Sequence, residues 1–266
     1  MSVGRRRAVL GPVLGAIVLA CSAARSGECP SKQQILARVS EVGPERGSRT
    51  ARFGAAPPTA LYEKAAGAIG RSFVTREGKT VQGVLVTPRS IETMWKALND
   101  EPHHALDGKY VPVRRSEVID GTPRGTSRVL FQYFKKAGIG RWWVSRVEMN
   151  PELFRDSQGA IWELRWNEIL DTVDPTQPPL DEVSRDIPPL EDSYGAWFLV
   201  PLGGSCTLVE YYNHTEPGGF VSLAQALLAK SSVRDTLDGL VRLADEHLPE
   251  PHPGAVFVRP DGSVLE

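Results

Sequence analysis

The sequence predicts an α+β fold in which one antiparallel sheet grips a long C-terminal helix. Three observations predict it. Four strand-like runs follow one another over residues 116–120, 126–135, 140–149 and 159–167. Gly121-Thr122-Pro123, Ala137-Gly138 and residues 156–159 supply the turn chemistry between them. Two further apolar runs, starting near Trp197, meet at Gly203-Gly204. Pro217-Gly218-Gly219 then stops the second run, and a single helix follows. Its stripe is Phe220, Leu223, Leu227, Val233, Leu237, Leu240, Val241 and Ala244. Such a helix must lay its apolar face across a curved sheet, and a sheet that wraps a helix often leaves a pocket between them.

The elements in order begin with an export signal. Arg5, Arg6 and Arg7 precede an apolar run over residues 8–20, the pattern of a secretory signal. Val18-Leu19-Ala20-Cys21 resembles a bacterial lipobox, which implies cleavage before Cys21 and lipid attachment to it. Ordinary cleavage near Ser22-Ala23-Ala24, releasing a soluble protein, is the alternative reading. Residues 1–20 are therefore expected to be a lipoprotein-type signal peptide, and residues 21–60 a tether, partly helical or disordered. The expected location is the bacterial periplasm or outer membrane, through a lipid anchor. If Cys21 is acylated, Cys29 and Cys206 remain, and an oxidising compartment permits a bridge between them. Spacing alone does not decide whether they meet.

From Leu61 the pattern tightens. Residues 61–69 suit a short helix, and residues 73–75 and 81–86 suit strands turned at Gly78. Thr87 and Pro88 offer an N-cap and a first helical residue. Ile91, Met94, Trp95 and Leu98 then recur at helical spacing, and Asn99, Asp100 and Pro102 are expected to end that helix. A loop carrying His103-His104 leads to the strands, and a polar, proline-rich excursion covers residues 171–190. The closing helix carries a break in its stripe at Lys230-Ser231-Ser232, where a bend is expected. Residues 61–248 read as one domain and residues 249–266 as a tail, either packed or loose.

The 266 residues are 41% hydrophobic and 24% charged, an ordinary globular balance. A net charge of -1 argues against nucleic acid as a partner, which needs a basic surface.

Three segments carry a family resemblance. They are VTPRSIETMWKALNDEPHH, VPVRRSEVIDGTPRGTSRVLFQYF, and the stretch from YGAWFLVPLGG through PGGFVSLAQALLAKSSVRDTLDGLVRLADEH. In this order they resemble the START-like, helix-grip superfamily: START lipid-transfer domains, the birch-pollen-allergen type and the polyketide cyclase/dehydrase-like proteins. The resemblance covers about residues 72–247. It implies a deep hydrophobic cavity under the C-terminal helix and a hydrophobic small molecule or lipid as partner. It does not by itself imply chemistry.

The cavity candidates are Trp95, Tyr133, Arg141, Trp143, Trp166, Trp197, Tyr211, Leu223 and Leu227. Aromatic strand residues suit an apolar ligand and an ordinary core equally. Strand alternation puts Arg141 and Trp143 on one face and Trp142 and Arg146 on the other, so one tryptophan lies in the cavity. An inward Arg141 suits a ligand carboxylate or phosphate. The alternative is an arginine reaching the sheet edge. Glu210 and His214 share a strand face about 13 Å apart. They are read as solvated surface positions, with Val209, Tyr211 and Asn213 inward. The rival reading makes Glu210, His214 and Tyr211 the acid-base groups of a cyclase or hydrolase. His103-His104 lacks a third ligand and is read as part of the cavity mouth. Gly203-Gly204 and Pro217 to Gly219 are read as turns, not phosphate loops. No catalytic residues, metal or cofactor are assigned.

Overall fold

A computed structural model describes residues 28–49, 56–136, 138–174, 179–180, 187–216, 223–246 and 256–265. Eight strands form one antiparallel sheet: β1 (Ser72–Glu77), β2 (Thr80–Thr87), β3 (Val113–Gly121), β4 (Ser127–Lys136), β5 (Ile139–Met149), β6 (Trp162–Glu168), β7 (Asp192–Gly203) and β8 (Cys206–Glu216). Their order is β1-β2-β8-β7-β6-β5-β4-β3, so the β1–β2 hairpin joins the β3–β8 meander at the β2–β8 pair and leaves β1 and β3 as edges. The hairpin turns lie where the sequence placed them. Gly78, Gly121, Gly138, Gly203 and Gly204 all take positive φ there, which glycine alone adopts without strain.

Helices cover both faces: α1 (Lys32–Arg49), α2 (Thr59–Ala66), α3 (Ile91–Leu98), α4 (Glu101–Ala105), α5 (Pro151–Asp156) and α6 (Leu223–Glu246). The concave face carries α6 and α3. Val233, Leu237, Leu240, Leu243 and Ala244 of α6 join Met94 and Trp95 of α3 and the inward strand residues in the largest core cluster. Two glycines set how closely α6 seats. A Cβ on Gly83 would lie 2.5 Å from the Leu237 side chain, and one on Gly239 would lie 1.6 Å from the Tyr110 carbonyl oxygen.

The convex face is covered in two halves. Ile35 and Val42 of α1 and Leu61 and Tyr62 of α2 pack on Val84, Phe198, Val200 and Leu208. Thus within the segment expected to be a tether, residues 32–49 form a docked helix. A disulfide between Cys29 and Cys206 ties its start to β8. The other half is covered by Leu170, just before the 171–190 excursion, and by Leu180 and Ile187 within it, which pack on Phe131, Trp142 and Val144.

Three local expectations change. The N-cap of α3 is Ser90, whose side chain accepts from the Thr93 N–H, while Thr87 ends β2 in register with Thr207. The ladder to β8 holds Thr87 extended, so the cap moves to the next hydroxyl residue. Asn99-Asp100-Pro102 ends α3 but also starts α4, because proline is suited to a first helical turn. His103-His104 therefore stand on a short helix, not a loop. Finally, α6 stays α-helical through Lys230-Ser231-Ser232. The tail is docked: Phe257 and Leu265 are buried in the main core, and the Trp95 indole donates to the Val258 carbonyl at 2.8 Å.

Candidate functional site

Between α6 and the concave face lies a cavity of about 390 Å³. Strand alternation builds its walls. On β4, Leu130, Gln132 and Phe134 point in; on β5, Arg141, Trp143 and Val147; on β6, Leu164 and Trp166; on β7, Ser193 and Trp197; on β8, Tyr211 and Asn213. Across from them α6 contributes Ala229, Ser232, Val233, Thr236 and Leu240. At one end the lining comes from strand tips: Arg76 and Lys79 beside the β1–β2 turn, Ile139 and Arg141 beside the β4–β5 turn, Glu191 before β7 and Glu216 at the end of β8. Lys79 and Glu216 pair there at 2.5 Å with both side chains reaching solvent, so this end is the mouth.

The aromatic wall is tightly organised. Tyr211 stacks on Trp166 with centroids 5.5 Å apart and meets Trp197 at 4.1 Å. Gly195 permits this. A Cβ there would fall 2.1 Å from the Trp166 ring and 2.2 Å from the Tyr212 carbonyl oxygen.

The far end is polar and buried. Glu101 and His104 of α4 line it. Arg128, 1% exposed, donates through Nε to Glu101 Oε1 at 2.7 Å and contacts the same oxygen through Nη2. It also donates to Asn99 Oδ1 at 2.9 Å and the Gly125 carbonyl at 2.8 Å. Beside this pair, Asp100 accepts from Arg124 at 2.7 Å and lies 2.8 Å from His103 Nδ1. Burial alone would raise the Asp100 pKa, but Arg124 and His103 outweigh it and hold the carboxyl below its ordinary value. His104 is pushed down by burial and stays neutral. Its Nε2 lies 2.7 Å from the Ala97 carbonyl, an acceptor, so Nε2 carries the hydrogen and Nδ1 keeps a lone pair.

Of the residues singled out from the sequence, Arg141, Trp143, Trp166, Trp197 and Tyr211 line the cavity. Arg141 sits at the mouth, with Nη1 donating to the Gly140 carbonyl at 2.7 Å. Trp95 does not line it; it is fully buried under the tail and packs edge-on against Trp162. Tyr133 faces the other side of β4, against the excursion. Trp142 does the same, donating to the Ile187 carbonyl at 2.7 Å. Leu223 and Leu227 fall within α6, but their side chains lie outside what is described, as does Cys21. Glu101, Arg128, Gln132 and Ser193 were not anticipated. Arg128 is the one the alternation of β4 signals, sharing the inward phase of Leu130 and Gln132.

Glu210 and His214 share the convex face as the spacing implied, but Glu210 is not solvated. It is 2% exposed beneath α1 and α2, accepting from the Tyr62 hydroxyl at 2.8 Å and pairing with Arg46 at 2.5 Å. Its covering residues come from more than 140 positions earlier, so no local pattern shows them. Burial raises its pKa, against the pull of Arg46 and Tyr62. His214 stacks on Tyr194 at 4.5 Å and lies 3.1 Å from Thr80 Oγ1. Among the described residues, no three His, Cys, Asp or Glu side chains converge as a metal site requires.

No protein-family model matches the chain, and no curated protein matches it significantly. Solved structures do. Human STARD10 is 14% identical over 75% of this chain and 87% of its own, with a TM-score of 0.50. A STAR-related lipid transfer protein from Xanthomonas axonopodis is 19% identical over 67% and 93%, at 0.48. The Zhui aromatase/cyclase from Streptomyces sp. R1128 is 14% identical over 66% and 98%, at 0.44. The architecture is the START-like helix grip, an unclosed antiparallel sheet curved around its closing helix.

Proposed function

We propose that this helix-grip chain binds a hydrophobic, lipid-like molecule in the cavity beneath α6. The observation that carries the reading is the cavity itself, walled by tryptophan and tyrosine rings on the sheet and by aliphatic side chains on α6. Its volume falls within the range of about 300–1,000 Å³ typical of small-molecule sites. Apolar ligand surface buried there contributes about 25 cal/mol per Å². The charged mouth keeps the entrance wetted, and the buried Glu101–Arg128 pair gives the far end a polar floor. The segment 101–110, which carries Glu101 and His104, closes this buried end, opposite the mouth, and ends at Tyr110. That segment is latched to α6 where Tyr110 and Lys109 bond Glu246 at 2.7 and 2.6 Å.

A cyclase or hydrolase reading needs acid-base groups facing the ligand. Glu210 and His214 stand on the opposite face of the sheet, which favours binding over catalysis by those two residues. The reading also includes export and a lipid anchor at Cys21. The Cys29–Cys206 bridge supports an oxidising compartment.

Titration with 1-aminoanthracene, whose emission rises in apolar surroundings, tests the binding claim. The expected result is saturation at one probe per chain, lost in Leu130→Trp, which fills the cavity while retaining the thermal unfolding transition. Saturable binding that survives cavity filling would place the probe elsewhere and sink the reading.

A further inference from the structure

Within the aromatic wall, the Tyr211 hydroxyl has no hydrogen-bond partner among the described residues. Tyr211 projects from β8 into the cavity. Its ring is clamped by Trp166, stacked at 23°, and by Trp197, tilted at 35°. The clamp depends on Gly195, since any Cβ there would displace the Trp166 ring. With the ring fixed, the position of the hydroxyl is fixed as well. Among the described residues that hydroxyl makes no hydrogen bond. Burial pushes the phenol well above its ordinary pKa, with no charge or hydrogen bond contributing. It therefore keeps its proton across the physiological range and stands as a donor.

Two polar neighbours on the wall, Gln132 and Asn213, are engaged with other side chains. Gln132 accepts from the Trp143 indole at 3.2 Å and donates to Ser116 at 3.3 Å. Asn213 accepts from Thr215 at 3.0 Å. Tyr211 is half-buried and lines the open cavity, and phenylalanine would pack the same ring against Trp166 and Trp197. The hydroxyl therefore has no role in the packing of the fold.

We propose that Tyr211 is a specificity contact of the cavity. Its hydroxyl donates to an acceptor oxygen, a carbonyl, ether or hydroxyl, carried within the apolar body of the ligand. The ligand class is then oxygenated apolar molecules, preferred over hydrocarbons of the same shape. This rests on the reading that the cavity takes an apolar ligand.

Fluorene and 9-fluorenone differ by one carbonyl and test the point directly. Both are titrated into the purified protein and into Tyr211→Phe, following quenching of tryptophan emission. The wild type is expected to bind 9-fluorenone about five- to tenfold more tightly, the scale of one hydrogen bond. Tyr211→Phe is expected to erase that preference and to unfold at a temperature no lower than the wild type. Equal affinity for both compounds in the wild type, or a preference that survives Tyr211→Phe, overturns the proposal while leaving an apolar site standing. Saturable quenching by neither compound overturns the proposal together with the reading beneath it.

Discussion

At the residue scale, a few side chains and two missing ones decide the geometry. Gly239 lets α6 rest against the backbone at Tyr110, which cannot yield as a flexible side chain does. Gly239→Ala is expected to cost about 1–3 kcal/mol or more, read as a shift of the urea midpoint. Neither this glycine nor Gly195 is distinguishable in the sequence from a tolerated one, because the atoms they avoid belong to distant segments. Glu163 makes a second case. It is 1% exposed, and Asn150 donates to its Oε2 at 2.6 Å. Burial raises its pKa, opposed by Asn150 and by Arg165 and Arg46. For a carboxyl raised on folding, the linked stability is complete below the ordinary glutamate pKa and is lost as pH rises through the raised value. Glu163→Gln does not titrate. Its stability relative to wild type is expected to rise between pH 4 and pH 8, measured by urea unfolding at both. A difference independent of pH would contradict the assignment.

At the scale of elements, alternation and turn chemistry made the strands legible, and the glycine turns lie at the expected hairpins. The boundaries of α3 and α4 were less so. A threonine cap competes with a strand ladder, and a proline suits either the end of one helix or the start of the next. The docking of α1 was not legible at all. Its apolar stripe is short, and what holds it is nonlocal: Ile35 and Val42 on the convex face, Arg46 on Glu210, and a bridge spanning 177 residues of sequence. Closing so long a loop restricts the unfolded chain, so Cys29→Ser is expected to lower stability by about 2–5 kcal/mol. Hydrogen exchange should then show α1 opening ahead of the sheet. Uniform loss of protection across sheet and helix would mean that α1 is no separable unit.

For the whole molecule, the succession of strands and the closing helix were readable because alternation and turn chemistry are local, while the pairing of β2 with β8, which joins distant segments, was not. Five cavity candidates follow the same rule: Arg141, Trp143, Trp166, Trp197 and Tyr211. Trp95 and Tyr133 failed it for different reasons. Trp95 is sealed by a tail whose docking depends on Phe257 and Leu265, and Tyr133 has the outward phase of β4. The polar floor needed α4 and β4 brought together, which no single segment announces. Placement in the cell has its own test: Cys21→Ser should move the protein from the membrane fraction to the soluble one. The central claim, that the cavity holds an apolar molecule, is tested most directly by native mass spectrometry of the protein as isolated from a bacterial host. The account predicts a bound mass at one per chain that organic extraction removes and that Leu130→Trp does not retain. A bare protein mass, unchanged after incubation with lipid extract, would contradict it.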